Sequence, residues 1–329
     1  MRPLHLALCY DLKSDYLAAG FSPEDVLEFD EEETIAALAD ALRGHGHTVE
    51  RVGRGVELAK LLAAGRRWDL VFNFAEGVRG RSREAQVPAV CELFDQPYTF
   101  SDPLTCALTL DKPLAKRLVR DSGLPTPPFA VVERPEEAAE VSLEPPLFVK
   151  PAAEGSSKGV TERSRVDTRE ELPAACAELL RTFRQPVLVE RYLPGREMTV
   201  GILGNGDDAR VVGVMEVLHV DGNGDYTALH KKEFETRVRY QLLDGEPVAE
   251  RAREVALGAY HALSCRDVAR VDLRCDEAGE PCFLEVNPLP GLHPTYSDLP
   301  ILSRLAGISY PELLGRIVEA SARRWGLWT

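Results

Sequence analysis

The stretch VARVDLRCDEAGEPCFLEVNPLPG, residues 268–291, is the most informative segment of this chain for its architecture. Two runs in which apolar residues alternate with others, VARVDL and CFLEVN, flank the turn-rich segment DEAGEP, and this pattern predicts an antiparallel hairpin. Because side chains alternate between the two faces of a strand, one face of this hairpin collects polar side chains and the other collects aliphatic ones.

The polar face of the predicted hairpin favours a metal site. With the turn centred near residues 278–279, the predicted register pairs Asp272 with Glu285, Arg270 with Asn287, Val271 with Val286, and Leu273 with Leu284. Two opposed carboxylates repel each other and Asn is a poor strand residue, so a purely structural face is disfavoured. Mg²⁺ prefers hard oxygen ligands and takes its remaining ligands from water and substrate phosphates. We therefore predict a metal–phosphate site, with an ordinary solvated face as the alternative.

Length, composition and charge limit the class of protein. The chain has 329 residues, 44% hydrophobic and 28% charged, which suits two or three globular domains. Its net charge of -14 argues against nucleic acid or an anionic membrane surface as a partner, but not against a small anionic substrate. The first apolar run is too short for a signal peptide, and no stretch approaches the ~20 apolar residues of a membrane span.

The cysteines indicate neither a zinc site nor a disulfide framework. There are seven, without a CxxC pair, at positions 9, 91, 106, 176, 265, 275 and 282. In the predicted register Cys275 faces Cys282, and we expect two thiols there because disulfides are uncommon in the cytosol. A reducing cytoplasm is the expected location.

The first hundred residues predict a parallel, doubly wound sheet. Strands are expected at 4–10, 48–52 and 69–74, and they alternate with helices at 31–43 and 55–64. Ligands in such sheets lie beyond the carboxyl ends of the strands, near residues 10–15 and 76–83. No GxGxxG motif follows the first strand, so a dinucleotide-binding domain is not expected. Further helices are expected at 110–119, 169–184, 250–264, 299–306 and 310–323.

Three loops carry residues suited to anion binding. Arg79, Arg81 and Arg83 follow Glu76 and suit a carboxylate or phosphate, although a solvated basic loop is an equal alternative. The segment 147–160, LFVKPAAEGSSKGV, predicts a strand and a flexible flap over phosphate, with a plain hairpin turn as the alternative. Residues 221–240 predict a long mobile loop whose lysines suit a phosphate, although ordinary surface lysines are the simpler interpretation.

Four blocks together resemble the ATP-grasp superfamily, and within it the D-alanine–D-alanine ligase family. They are LDKPLAK, VKPAAEGSSKG, VERYLPGREMTV and RVDLRCDEAGEPCFLEVNPLPGL, in this order and spacing. The resemblance implies an ATP-grasp fold of α/β class, α+β in its later domains, behind an N-terminal doubly wound domain. The implied domains are an N-terminal domain at 1–110, a central domain with the flap at 111–195, and a C-terminal domain with the metal hairpin at 196–329.

The resemblance also implies cofactors and roles for individual residues. It implies ATP and two Mg²⁺ ions, with the metal ligands Asp272, Glu285 and Asn287. Nucleotide contacts are implied for Lys112, Lys150, Glu154, Ser156, Ser157, Glu190, Tyr192, Leu193 and Glu197, with Glu190 beside the adenine and Glu197 at the ribose. Catalytic roles are implied for Arg270, Lys231, Ser157 and Gly291, with Lys232 as the alternative to Lys231.

The chain departs from the family pattern where amino acids are recognised. The N-terminal GGxSxE signature is missing, because the first strand continues into CYDLKSD. Glu76-Gly77 replaces the usual histidine-glycine, and the serine-leucine pair that takes the second substrate's carboxylate is altered within GLHPTYSDLP. From position alone, the candidate substrate residues are Asp11, Asp15, Glu76, Arg79, Arg81, Tyr296, Ser297 and the Gly291 amide.

The sequence thus predicts an ATP-dependent carboxylate–amine ligase that works through an acyl phosphate and has altered amino-acid recognition. Its expected partners are small carboxylate and amine substrates, amino acids or short peptides, and the resemblance alone implies a homodimer. A true D-alanine–D-alanine ligase of cell-wall synthesis and a small-molecule kinase on the same fold are the alternatives. A nucleotide-binding module without catalysis is disfavoured because the acids, the amide and the arginine are all present.

Overall fold

The computed structural model describes residues 2–23, 25–27, 29–155, 158–219 and 238–328. Its strands are β1 (His5–Tyr10), β2 (Thr48–Gly53), β3 (Leu70–Phe74), β4 (Phe129–Val132), β5 (Leu147–Pro151), β6 (Arg165–Val166), β7 (Val187–Arg191), β8 (Glu197–Leu203), β9 (Arg210–His219), β10 (Val238–Leu243), β11 (Val268–Cys275) and β12 (Pro281–Asn287). Its α-helices are α1 (Lys13–Ala18), α2 (Glu32–Gly44), α3 (Gly55–Ala63), α4 (Gln86–Leu93), α5 (Pro103–Leu110), α6 (Lys112–Asp121), α7 (Leu172–Phe183), α8 (Pro247–Ala262), α9 (Asp298–Leu305) and α10 (Tyr310–Arg324).

The N-terminal sheet is parallel and covered on both faces, as the alternating pattern predicts. Its strand order is β2-β1-β3. Helix α2 buries the stripe Ile35, Leu38 and Leu42 against one face, and α3 and α4 cover the other. Both faces of a parallel sheet must be covered by helices, and the central strand β1 is accordingly buried after its first residue, His5.

The two later sheets are mainly antiparallel and carry the nucleotide motifs. The four-stranded sheet has the order β4-β7-β5-β6 and packs against α7, while the five-stranded sheet has the order β10-β9-β8-β11-β12 and packs against α8. The predicted boundaries at 110 and 195 stay a prediction, although the strands of each sheet come from one predicted range. Helix α10 crosses that division, because Leu313 and Ile317 pack in the core of the N-terminal sheet.

Part of the predicted loop at 221–240 is a strand. Val238, Arg239 and Tyr240 belong to β10, which pairs with β9 with Tyr240 opposite Val217. This short edge strand was not predicted, because the residues before it are rich in charge and its own side chains face solvent on one side. Neither β9 nor the helices α1 and α5 were expected from the sequence.

One buried carboxylate links the N-terminal part of the chain to two elements of the C-terminal part. Asp267 is fully buried and accepts hydrogen bonds from the Phe100 amide at 2.8 Å and from Arg324 Nη2 at 2.8 Å. It also accepts from Asn205 Nδ2 at 3.0 Å and from the Ser321 hydroxyl. Asp267 therefore links the N-terminal part of the chain, the β8–β9 turn and helix α10.

Two general expectations can be compared with the described residues. All seven cysteines are free thiols and all are buried. No helix in the described ranges is long and apolar enough to cross a membrane.

Candidate active site

The polar face of the β11–β12 hairpin has the predicted register at its core. Asp272 pairs with Glu285, Arg270 with Asn287, and the residues between them with each other. Asn287 Nδ2 lies 3.3 Å from Asp272 Oδ2, and the Thr199 hydroxyl on β8 donates to Asp272 Oδ1 at 2.9 Å. The three predicted metal ligands therefore lie together on one face.

The register changes beyond this point, and two predicted pairs are wrong. A bulge follows Asp272, so Leu273 faces Phe283 rather than Leu284, and Cys275 faces Pro281 rather than Cys282. The extra residue is Leu284, which lines the cavity next to Glu285 instead of joining the aliphatic face. A bulge redirects one side chain in this way at the cost of a break in the ladder.

The two acids differ in the charges around them. Burial, together with the charges of Glu285 and Asp298, raises the pKa of the Asp272 carboxyl above its ordinary value. Burial alone would also raise the pKa of Glu285, but Lys112, Lys150 and Arg270 hold it below its usual range. A bound cation would stabilise two carboxylates this close together, because its charge offsets the repulsion between them.

The donor set suits Mg²⁺ with an open coordination sphere. In the described ranges, no three His, Cys, Asp or Glu side chains form a closed metal cage. The hairpin offers two carboxylates and an amide, which leaves coordination positions for water and phosphate oxygens, as Mg²⁺ requires. The residues present therefore fit the metal that the sequence predicts.

Two lysines reach the same region from neighbouring elements. Lys112 begins helix α6, which Asp111 caps by accepting from the Leu114 amide at 3.1 Å. Lys112 Nζ lies 3.4 Å from Glu285 Oε2 and donates to the Glu154 carbonyl. Lys150, on β5, lies 2.7 Å from Glu190 Oε1. Both ammonium groups border the cavity beside the metal hairpin.

The first cavity suits a nucleotide. It combines an apolar part with the cationic end just described, and it is lined by Lys112, Phe148, Lys150, Pro151, Glu154, Lys158, Val160, Glu190, Arg191, Tyr192, Leu193, Glu197, Thr199, Val217, Arg270, Asp272, Arg274, Leu284, Glu285 and Asp298. All the described residues predicted to contact ATP are among them. An apolar slot beside two lysines matches a planar base joined to phosphates.

Glu190 lines the first cavity, and its role beside the adenine stays a prediction. Its carboxylate is only 3% exposed and is shared by two lysines, Lys150 and Lys116. The second of these, Lys116, was not singled out from the sequence. Its spacing of four from Lys112 on one helix face was the signal available.

Arg274 lines the first cavity and was not singled out in the sequence analysis. Its guanidinium lies over the Tyr192 ring, 5.1 Å from the centroid, and donates to the Tyr192 hydroxyl at 3.2 Å. It also lies 3.8 Å from Glu197 Oε2. Arg274 therefore contacts both Tyr192, which is predicted to line the adenine, and Glu197, which is predicted to bind the ribose.

A second cavity adjoins the first and shares one wall with it. Glu76, Gly291, Tyr296 and Ser297 line it, as does Asn287. The residues common to both cavities are Lys112, Glu154, Arg270, Glu285 and Asp298. A group bound in one cavity is therefore adjacent to a group bound in the other.

Arg270 lies between two acids on this wall. Its Nη2 donates to Asp272 Oδ2 at 2.9 Å, and its Nη1 lies 3.2 Å from Asp298 Oδ2. Asp298 begins helix α9 and also accepts from the Tyr240 hydroxyl at 3.1 Å. The sequence analysis did not single out Asp298, although it lies inside the altered segment GLHPTYSDLP.

Gly291 packs tightly in the second cavity. A Cβ atom added there would lie 2.9 Å from the Ser297 hydroxyl oxygen, which accepts from the His293 amide at 3.0 Å. Tyr296 stacks on His293 with ring centroids 3.6 Å apart. The predicted second-substrate residues are therefore gathered at one end of this cavity.

Several predicted substrate residues lie away from both cavities. Asp11 is buried, accepts from the Tyr16 hydroxyl at 2.6 Å and from the Gly77 amide at 2.8 Å, and burial raises its pKa. Arg79 lies over the Phe21 ring at 5.3 Å, and Arg81 binds Asp111. Neither cavity is lined by Asp11, Asp15, Arg79 or Arg81, so the structure groups only Glu76, Tyr296, Ser297 and Gly291 of that set.

Four predicted residues lie outside the described residues. They are the flap serines Ser156 and Ser157 and the loop lysines Lys231 and Lys232. Their roles stay predictions from the sequence.

Comparisons with known proteins identify the family of this chain. The family model described as D-ala D-ala ligase C-terminus matches residues 118–319. A D-alanine–D-alanine ligase of Methylobacterium radiotolerans is 38% identical over 288 residues, which cover 86% of this chain and 90% of that protein. The uncharacterized protein y4sG of Sinorhizobium fredii is 36% identical over 262 residues, which cover 78% of this chain and 75% of that protein.

Solved structures share the fold across the whole chain. A D-alanine–D-alanine ligase from Bacillus anthracis complexed with ATP has a TM-score of 0.74 at 22% identity, covering 98% of this chain and 99% of that one. The VanG D-Ala:D-Ser ligase from Enterococcus faecalis has a TM-score of 0.74 at 24% identity, covering 97% and 100%. At these identities the likeness concerns the fold.

Proposed function

Because this chain belongs to the D-alanine–D-alanine ligase family of ATP-dependent, ADP-forming ligases, we propose that it joins a carboxylate to an amine with amino-acid recognition different from that family's. The observation that carries the proposal is the shared wall of the two cavities, where Arg270 bridges Asp272 and Asp298. The cofactors of the family are ATP and Mg²⁺. The first cavity would hold ATP and the second the amino-acid substrates.

The reaction divides into two steps at this wall. In the first, a carboxylate oxygen of the substrate attacks the γ-phosphorus of ATP. The bond between that phosphorus and the bridging oxygen breaks, ADP departs, and an acyl phosphate is formed. In the second, the amine nitrogen attacks the acyl carbon, inorganic phosphate leaves, and the nitrogen loses a proton as the amide forms. Phosphoryl transfer needs positioned charge more than a protein nucleophile, which fits a site of lysines, arginine and acids.

Each charged group of the chain has a position suited to one part of this chemistry. Lys112 and Lys150 would neutralise the phosphates, and Asp272, Glu285 and Asn287 would hold Mg²⁺. When bound, Mg²⁺ supplies charge neutralisation for the transferred phosphoryl group. Arg270 borders both cavities and would stabilise the oxyanion that develops as the amine attacks.

The proposal of altered recognition is supported by Asp298. Within the altered segment, Ser297 is followed by a carboxylate that borders the second cavity and pairs with Arg270. A substrate carboxylate at this end of the cavity would meet like charge, which disfavours it unless a cation compensates. The segment after the first strand adds no substrate contact through Asp11, which lines neither cavity. The Asp298 carboxylate therefore carries the argument against a second D-alanine.

D-alanine–D-alanine ligation itself is the second candidate. The observation in its favour is the 38% identity to a ligase of that name over most of both chains. The two candidates share every ATP and metal residue, so they differ only in the occupants of the second cavity.

A screen of acid and amine pairs tests the proposal. Purified protein is incubated with ATP, Mg²⁺ and pairs of amino acids or dipeptides, D-alanine included, while phosphate release and product mass are measured. We expect an amide product from a pair other than two D-alanines. A clear preference for D-alanine in both positions would refute the altered recognition. A stable phosphate ester as the final product, formed without amine, would indicate a kinase.

The variant Asp298→Leu tests the part assigned to the altered segment. With the carboxylate removed, acceptance of D-alanine as the amine should rise relative to the native pair by about tenfold, the ratio equal to about 1.4 kcal/mol. Competition between amines, read by product mass, measures that ratio. An unchanged ratio would separate Asp298 from substrate selection, and Asp207→Asn at an exposed turn serves as the control.

A further inference from the structure

Lys116 is a buried cation behind the nucleotide cavity. Its side chain is fully buried, and its ammonium group lies 2.8 Å from Glu190 Oε2. It also donates to the Thr126 hydroxyl at 3.1 Å and to the Phe283 carbonyl at 3.2 Å. The ammonium group is therefore enclosed by one carboxylate and two neutral acceptors.

Glu190 is shared by two ammonium groups on opposite sides. Lys116 lies against Oε2 and Lys150 lies 2.7 Å from Oε1. The two lysines differ in position: Lys150 lines the first cavity, whereas Lys116 does not. Glu190 therefore has one fully buried partner, Lys116, and one partner that borders the first cavity, Lys150.

We propose that Lys116 is a positioning residue that retains Glu190 as its partner when Lys150 turns to a nucleotide phosphate. Within this cluster two cations face one anion, so the positive charge exceeds what Glu190 alone neutralises. Lys150 is the member placed to offer that charge to the cavity. The inference rests on the proposed binding of ATP in the first cavity.

The cost of burying charge explains why the third member matters. A buried carboxylate that loses its last cationic partner is strongly destabilised, and the penalty in proteins is several kcal/mol. Without Lys116, Lys150 would be the counter-ion of Glu190 within this cluster, and its movement toward phosphate would strand the carboxylate. With Lys116 present, Glu190 stays paired throughout.

The charges within the cluster agree with this arrangement. Burial alone would raise the pKa of Glu190, but Lys116 and Lys150 hold it below its ordinary value. Burial lowers the pKa of Lys116, whereas the charges of Glu190 and Glu285 outweigh burial and raise the pKa of Lys150. Glu190 is thus an anion that both lysines stabilise.

A comparison of two ligands tests the proposal without catalysis. Calorimetry measures the affinities of Lys116→Met for ADP and for adenosine, which has no phosphate and does not require Lys150 to move. We expect ADP binding to weaken by at least about tenfold, or about 1.4 kcal/mol, while adenosine binding changes by less than about twofold. Lys60→Met, at an exposed position on α3, is the matched control.

A double-mutant cycle identifies the group through which Lys116 acts. In the Glu190→Gln background the carboxylate is absent, so adding Lys116→Met should no longer change the ratio of ADP to adenosine affinity. Taking the ratio removes any direct contact between Glu190 and adenine, which affects both ligands alike. A loss that persists in this background would assign the effect to the contacts of Lys116 with Thr126 and Phe283 and would overturn the proposal.

A second variant covers the case in which Lys116→Met does not fold. Lys116→Gln keeps a donor for Phe283 but removes the charge, and the same ADP-selective loss is expected. Equal weakening of ADP and adenosine in the folded variants would mean a purely structural role and would refute the proposal. Failure of the unmodified protein to bind ADP would instead refute the proposed function.

Discussion

Glu285 is the carboxylate on which both cavities converge. It borders each of them, faces Asp272 across the hairpin and lies 3.4 Å from Lys112 Nζ. We expect Glu285→Gln to reduce kcat by more than about 100-fold, beyond the 10–100-fold typical when a partner of a metal ligand is lost. Steady-state phosphate release measures the change, and thermal unfolding should show an intact fold.

The matched control for this prediction lies on the same hairpin. Glu277→Gln alters an exposed turn residue paired with Arg191, so its kcat should stay near that of the unmodified protein. A near-normal rate for Glu285→Gln would remove Glu285 from the proposed metal site.

His47 predicts how stability depends on pH. Burial lowers the pKa of His47, whose Nδ1 accepts from the Leu4 amide at 3.1 Å. The unfolded chain, with an ordinary histidine pKa of about 6.5, therefore binds the proton more readily than the folded protein. The contribution to stability is present above that pH and is lost as pH falls toward the folded pKa.

Urea unfolding between pH 5 and 8 measures this effect. We expect His47→Asn, whose side-chain oxygen can accept the same hydrogen bond, to show a weaker decline of unfolding free energy on acidification. His261→Asn, at an exposed position on α8, should decline like the unmodified protein. Identical pH profiles for all three proteins would show that His47 is not the responsible group.

Among the single elements, helix α6 begins with a cap that we expect to affect both the stability of the protein and its use of ATP. Asp111 caps the helix through the Leu114 amide and binds Arg81, and the next residue is Lys112. Asp111→Ala should cost about 1 kcal/mol or more of unfolding free energy. It should also raise the KM for ATP, because Lys112 loses its fixed orientation.

Helix α5 offers a matched cap for comparison. Asp102 accepts from the Thr105 amide at 2.9 Å and pairs with Arg266 at 2.7 Å, but it lines neither cavity. Asp102→Ala should therefore lower stability by a similar amount while leaving the KM for ATP unchanged. If both variants raise the KM equally, the cap of α6 has no particular link to the nucleotide.

The hairpin shows which features of an element can be read from its sequence. Alternation predicted the pairing of Asp272 with Glu285, because a buried aliphatic face fixes the register there. It did not predict the bulge at Leu284, since a straight ladder satisfies the same pattern. The neighbouring Phe283 donates to the Pro125 carbonyl and accepts from Lys116 and Thr126, contacts that come from far along the chain.

For the whole molecule, we expect the hydrogen-bonded cluster around Asp267 to contribute strongly to stability, although it lies outside both cavities. Its carboxylate is fully buried and joins Phe100, Asn205 and Arg324. Removing one partner of a buried ion pair costs about 3–5 kcal/mol, so Asp267→Asn should lower the unfolding free energy by about 3 kcal/mol. Tryptophan fluorescence in urea measures it, because Trp325 packs nearby against Tyr98.

The control for the Asp267 cluster is an acid in the neighbouring turn. Asp207→Asn changes an exposed residue between β8 and β9 and should alter stability by less than about 0.5 kcal/mol. A similarly small effect of Asp267→Asn would show that the links made by Asp267 contribute little net stability.

The sequence predicted the fold class of the whole molecule better than it predicted which distant residues contact each other. Repeating strands and helices indicated the N-terminal sheet, and short motifs indicated ATP and metal residues. Lys116 and Asp298 escaped notice because their roles arise from contacts with Glu190 and Arg270, 74 and 28 residues away. Asp11 was chosen for its proximity to a strand end, which does not reveal that Tyr16 and Gly77 donate hydrogen bonds to it.

The seven enclosed thiols have a practical consequence for experiments on this protein. Alkylating reagents should modify the folded chain slowly, because burial raises the pKa of groups such as Cys9 and Cys106 and restricts access to their sulfur atoms. A single cysteine engineered on the surface could then carry a fluorophore without deletion of the native ones. Such a label beside the second cavity would report the arrival of each candidate amine directly.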